Sequence, residues 1–93
     1  MKITVYTRTP CQRCDATKRR LQKNTTPYQT IYVDVDAAAG DALRAKGYTG
    51  LPVVTVTDKD GNLLDEWSGF NPSKIDGAVA LAKNALEEAT IAA

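Results

Sequence analysis

Ninety-three residues make one domain, 1–93, long enough to bury about 60 to 70% of the unfolded chain's surface without cross-links or metals. Twelve basic and eleven acidic residues leave a formal net charge of +1, and the few aromatic residues are not interleaved with a basic stripe, so nucleic-acid binding has no support. Two cysteines and no histidine fall short of the four ligands of a structural zinc site, which leaves zinc only a site shared between two chains.

After Met1 and Lys2 the chain enters Ile3-Thr4-Val5-Tyr6-Thr7, whose apolar-polar alternation predicts a strand. That run is too short and too polar for a signal peptide or a membrane span, so the cytosol is the expected compartment. Thr9-Pro10 breaks the alternation. Proline at or near a helix's first position gives up an N–H that has no partner there anyway, and residues 11–23 are rich in helix formers, with a thin apolar face of Cys14, Thr17 and Leu21. Thr25-Thr26-Pro27 ends that helix. Residues 28–35 then place Ile31, Val33 and Val35 at period two and predict the second strand.

Asp36 is positioned to N-cap a short Ala-rich helix through Lys46, with Gly47 at the C-cap and Leu43 as its main anchor. Thr49-Gly50-Leu51-Pro52 leads into Val53-Val54-Thr55-Val56-Thr57, a β-branched run that predicts a buried strand. Asp58-Lys59-Asp60-Gly61 is turn chemistry, and residues 63–67 return as a fourth strand to complete a hairpin. Asn71 as N-cap and Pro72 at the first helical position open the last helix, which carries Ile75, Val79, Ala82 and Leu86 at helical spacing and is expected to fray from Glu87. The order β-α-β-α-β-β-α predicts an α/β fold: a four-stranded mixed sheet, parallel in its first half and a hairpin in its second, flanked by three helices.

The chemistry lies in Cys11-Gln12-Arg13-Cys14, behind the first strand. As a staple the pair is poorly placed, because closing so short a loop removes only about 2 kcal/mol from the unfolded state against about 4.7 kcal/mol for a long one. As a redox pair it is well placed. A thiol at a helix N-terminus meets unpaired backbone N–H groups and the positive end of the helix dipole, both of which favour the thiolate that attacks a disulfide. Its neighbour three residues on shares the helix face and resolves the mixed disulfide from within. Cys11 is therefore the expected nucleophile, with Arg13 adjacent and Arg8 and Lys18 expected nearby to favour its anion.

A CxxC pair at the junction of the first strand and first helix is the signal of a thioredoxin-like redox protein. Its company sharpens the resemblance: Thr4-Val5-Tyr6-Thr7-Arg8 before the site, Cys11-Gln12-Arg13-Cys14-Asp15-Ala16-Thr17-Lys18 through it, Gly50-Leu51-Pro52-Val53-Val54, and Trp67-Ser68-Gly69-Phe70-Asn71-Pro72. From about Lys2 to Leu81 the chain resembles the NrdH-redoxin branch of the glutaredoxins, the Trp-Ser-Gly-Phe tetrapeptide being the most distinctive part. Gln12 and Arg13, Asn71 and a longer hairpin depart from the family's usual pattern.

The resemblance implies a monomeric thiol-disulfide oxidoreductase with no bound cofactor. It would pass electrons to the large subunit of a class Ib ribonucleotide reductase and be re-reduced by thioredoxin reductase, ultimately from NADPH. It also implies Cys11 as attacking thiol, Cys14 as resolving thiol and Pro52 as a cis-proline facing them, the backbone of Leu51 turning outward to pair with an extended substrate. Trp67, Ser68, Gly69 and Phe70 would form a docking surface beside Arg13. Without the resemblance, Pro52 reads as an ordinary first residue of a strand, and Trp67 and Phe70 as core residues at a strand end.

Two other functions compete. A glutathione-dependent glutaredoxin wants polar or acidic side chains opening the last helix, and Asn71-Pro72-Ser73-Lys74 offers no acidic one. A CxxC redox sensor similar to the Spx proteins, acting on transcription machinery, would be longer and would lack Trp-Ser-Gly-Phe.

Overall fold

The computed structural model describes the backbone of residues 1–92 and the side chains of residues 1–84. Its elements are β1 (Lys2–Thr7), α1 (Gln12–Lys23), β2 (Gln29–Tyr32), α2 (Ala37–Ala45), β3 (Val53–Thr57), β4 (Leu63–Ser68) and α3 (Pro72–Ala92). The strands form one sheet in the order β2-β1-β3-β4, with β1 and β2 parallel and the β1/β3 and β3/β4 pairs antiparallel. The mixed sheet and the element order agree with the sequence reading.

Alternation decides what each face of the sheet carries. Ile3 and Val5 of β1, Val54 and Val56 of β3 and Trp67 of β4 share one face and form the main core with Leu21 of α1 and Ile75, Ala78 and Val79 of α3. An exposed bidentate pair, Arg20 Nε and Nη2 to Asp76 Oδ1 and Oδ2 at 2.9 and 2.8 Å, ties α1 to α3. The other face holds the buried Thr4, Val53 and Thr55. There Lys46, at the end of α2, reaches Glu66 at 3.2 Å, and Glu66 pairs with Thr55 in the ladder. Helices therefore cover both faces.

The caps form where the residue types require them. Asp36 accepts the Ala39 N–H at 3.0 Å, and Asn71 Oδ1 accepts the Lys74 N–H at 3.2 Å. At the end of α2, Gly47 N–H donates to Arg44 and Tyr48 N–H to Leu43, the paired closure that needs the left-handed φ of +93° found at Gly47. In the hairpin turn Asp58 accepts the Asn62 N–H at 2.9 Å, the Asn62 side-chain amide at 3.1 Å and the Asp60 N–H at 2.9 Å, and these bonds, the two from Asn62 foremost, hold its carboxyl below its ordinary pKa.

One expectation changes, and one feature was not foreseen. The second strand stops at Tyr32, and Val33 to Val35 form a turn in which the Asp36 N–H donates to the Tyr32 carbonyl at 2.7 Å. Val35 is consequently 85% exposed, because the chain has to reverse before Asp36 can cap α2, whatever the apolar alternation suggests. Pro10 precedes the N-cap of α1, which is Cys11, and the Thr9–Pro10 bond is cis, which nothing in the sequence had suggested. The backbone of α3 runs to Ala92, while Ala93 and the side chains from residue 85 on, Leu86 among them, lie outside the described residues.

Candidate functional site

The site forms where β1 delivers the chain to α1. Cys11 adopts extended backbone angles as N-cap, and its Sγ accepts the Cys14 N–H at 3.2 Å while its carbonyl accepts the Asp15 N–H at 3.0 Å. One helical turn brings the two Cα atoms to 5.2 Å, and the cysteines are joined as a disulfide. Their exposure differs: Cys14 is fully buried and Cys11 is half-buried. An incoming thiolate therefore reaches Cys11 first, and a partner bonded to Cys11 leaves Cys14 poised beneath it. In the reduced state the Cys14 N–H and the free amide groups of the first turn lie where the Cys11 sulfur becomes an anion.

The surrounding residues line two clefts that share Gln12 and Arg13. On one side Cys11, Arg8, Arg13, Leu51 and the α2 residues Leu43 and Arg44 line a groove of about 910 Å³. On the other side Arg13 joins Gln12, Ala16, Arg19 and Phe70 around a smaller one. A Cβ built on Gly50 would stand 3.7 Å from Arg13 Nη2, so the guanidinium spans from the cysteine turn to the loop before Pro52. Leu51–Pro52 is cis, and the Pro52 carbonyl accepts the Gly69 N–H at 2.8 Å. That bond ties the proline loop to the Trp-Ser-Gly-Phe segment, and the φ of +81° at Gly69 is one that glycine adopts freely.

Arg8 lies on the Cys11 groove as expected, but Lys18 does not. Its ammonium pairs with Asp15 at 3.3 Å and sits 5.7 Å from the Tyr32 ring centroid, so its charge is spent over the β2 edge. Trp67 is a larger correction. It is only 6% exposed and belongs to the core on the Val54 face, because alternation along β4 turns Trp67 inward and Ser68 outward. Its Nε1 has no hydrogen-bond partner among the described residues. Of the tetrapeptide, Ser68 and Phe70 are exposed and Gly69 is half-buried, so the accessible surface begins after the tryptophan. Sequence reasoning missed Arg44, Leu43 and Tyr48 as groove residues, since helix periodicity shows that a face is apolar without showing which loop it meets.

No group of three or more His, Cys, Asp or Glu side chains among the described residues is arranged to hold a metal ion, and no described helix is long and apolar enough to cross a membrane. What the pair can do is exchange. Cys11 and Cys14 cycle between disulfide and dithiol, carrying two electrons and two protons.

Comparison with known proteins agrees with that chemistry. The glutaredoxin family model matches residues 3–60. The chain is 42% identical over 76 residues to the glutaredoxin-like protein NrdH of Escherichia coli K12, covering 82% of this chain and 86% of that one, and 41% identical to its Salmonella typhimurium counterpart over the same shares. The solved structure of the Escherichia coli NrdH-redoxin, a glutaredoxin-like protein described as having a thioredoxin-like activity profile, superposes with a TM-score of 0.73 over 82% of this chain and 92% of that one. With its exchange-competent cysteines in the same fold, the protein is a thiol-disulfide oxidoreductase, and the chain belongs to the glutaredoxin family as one of its NrdH-redoxins.

Proposed function

We propose that the reduced protein donates electrons to the large subunit of a class Ib ribonucleotide reductase and is itself re-reduced by thioredoxin reductase at the expense of NADPH. The observation that carries this reading is the unequal exposure of the two cysteines at the start of α1. The Cys11 thiolate attacks one sulfur of the substrate disulfide, forming a mixed disulfide and expelling one substrate thiolate. Cys14, as thiolate, then attacks the Cys11 sulfur, closing the Cys11–Cys14 bond and releasing the second substrate thiolate. Two electrons move to the substrate, and water serves as the base for Cys14.

Partner recognition falls to the surfaces around Cys11. The N–H and C=O of Leu51 have no hydrogen-bond partner among the described residues, which leaves both available to an extended substrate segment beside Cys11. Phe70, 39% exposed, and Ser68 and Gly69 beside it offer the reductase a mixed apolar and backbone contact, with Arg13 at its border. The thioredoxin-like activity profile of the Escherichia coli relative favours the flavoprotein route over glutathione, as does the lack of an acidic side chain among residues 71–74. The cytosol suits a donor that must be kept reduced.

Cys14→Ser protein mixed with an oxidised class Ib large subunit is expected to accumulate a disulfide-linked complex through Cys11, identified by mass spectrometry. If Cys11→Ser instead accumulates the complex through Cys14, the two roles are reversed. If the wild-type dithiol supports no turnover of that subunit, the partner assignment is wrong.

A further inference from the structure

We propose that the groove beside Cys11 selects disulfide-bearing protein segments whose flanking residues are acidic. The inference rests on the dithiol-donor reading and adds a substrate class to it. Three cations, Arg8, Arg13 and Arg44, line this groove, and no acidic side chain does. The chain as a whole carries a net charge of only +1, so the local excess is a property of the groove and not of a generally basic surface.

The pairing of these cations strengthens the argument. Neither Arg8 nor Arg13 forms an ion pair among the described residues, whose salt bridges engage Lys18, Arg20, Arg44, Lys46 and Lys74. Arg44 pairs with Asp41 three residues earlier on α2, where the two side chains are 70% and 71% exposed. Such a surface pair is weak, and a substrate carboxylate can take the aspartate's place. Asp15 lines the neighbouring cleft with Arg13 and is paired with Lys18 at 3.3 Å, and Asp34 accepts the Thr9 N–H at 3.3 Å.

Position then favours a peptide. A segment paired with the free Leu51 backbone groups presents its disulfide to Cys11 and runs its neighbours past Arg13 and Arg44, while the floor at Val33 and Leu43 accommodates aliphatic stems. Arginine's planar fork suits carboxylates held in this way. A Cβ built on Gly40 would stand 3.6 Å from Arg44 Nη1, which places that guanidinium over the first turn of α2 at the groove wall.

The test uses chemically reduced, desalted protein and four oxidants: one cystine peptide with flanking residues Asp/Glu, Asn/Gln or Lys, and oxidised glutathione. Rates are read from acid-quenched single turnovers by chromatography. At low salt the acidic peptide is expected to react about tenfold faster than the neutral one and the Lys peptide slowest, in line with electrostatic steering. The order should collapse in about 1 M salt, where the screening length is near 3 Å. Arg44→Gln should slow the acidic peptide by about two- to fivefold, as for one exposed ion pair, and Arg44→Lys should recover most of that loss. Equal rates for the three peptides overturn the selection while leaving the dithiol reading intact. Glutathione disulfide outrunning the acidic peptide overturns the assignment to protein segments. No reduction of any oxidant overturns the dithiol reading and this inference together.

Discussion

Replacing Trp67 by alanine should cost this protein much of its stability, because the ring is a core element. At 6% exposure the indole packs in the cluster with Val54, Val56 and Ile75, and large-to-small truncation of such an aromatic costs about 3 to 5 kcal/mol. A chain of this length has about 5 to 14 kcal/mol to lose. Trp67→Phe separates two opposing terms. It loses part of the buried ring area, but it also removes an N–H that is buried without a partner among the described residues, an arrangement that costs about 1 to 3 kcal/mol. We expect the phenylalanine variant to stay within about 1.5 kcal/mol of wild type, the range for well-matched apolar replacements.

Urea unfolding followed by far-ultraviolet circular dichroism measures both variants without needing the tryptophan. With a slope of about 1 to 2 kcal/mol/M, the alanine midpoint should fall by about 1.5 to 5 M, and the slope should stay unchanged. Wild-type emission should be blue and poorly quenched by acrylamide. An alanine midpoint within about 0.5 M of wild type, together with strong quenching, would return Trp67 to the exposed docking surface and refute the packing argument.

The other predictions concern charge and docking. Asp76 is held below its ordinary pKa of 3.8, first by its hydrogen bond with Arg20 and then by that residue's charge, so its contribution to stability is present above 3.8 and disappears as pH falls through the lower folded value. The stability gap between wild type and Asp76→Asn should therefore narrow steadily in acid, and a gap that persists to the lowest pH at which the protein folds contradicts the pairing. Phe70→Ala should leave the urea midpoint nearly unchanged, since the ring is 39% exposed, yet lower kcat/KM with thioredoxin reductase by about five- to thirtyfold, as for an aromatic anchor. Equal losses of stability and turnover would make Phe70 a packing residue.

Most of the fold was legible because its signals are local. Caps at Asp36 and Asn71, glycine at Gly47 and the β-branched run through Val56 each specify a backbone state within a few residues, and the structure contains all of them. The end of the second strand was not legible, since Val33 and Val35 continue the apolar alternation while the chain must turn to reach Asp36. The cysteine pair announced itself by spacing and by position after a strand, and the structure joins Cys11 and Cys14 at the start of α1 with Cys14 the more buried. The surroundings of the pair depend on tertiary placement. Lys18 is drawn away by Asp15 and Tyr32, Trp67 is turned inward by strand parity, and Arg44 enters the groove from a helix distant in sequence. Each of these depends on tertiary placement that no local pattern encodes.

The source of electrons tests the central claim most directly. NADPH absorbance is followed while the Cys11–Cys14 disulfide is reduced either by thioredoxin reductase or by glutathione with glutathione reductase, with an insulin disulfide or a ribonucleotide reductase as final acceptor. The account predicts rapid NADPH consumption through thioredoxin reductase and slow or no consumption through glutathione, because residues 71–74 offer no acidic group for the tripeptide while Leu51 and Phe70 offer the flavoprotein an accessible apolar rim. Faster turnover through glutathione would contradict it and make the protein a glutathione-dependent glutaredoxin.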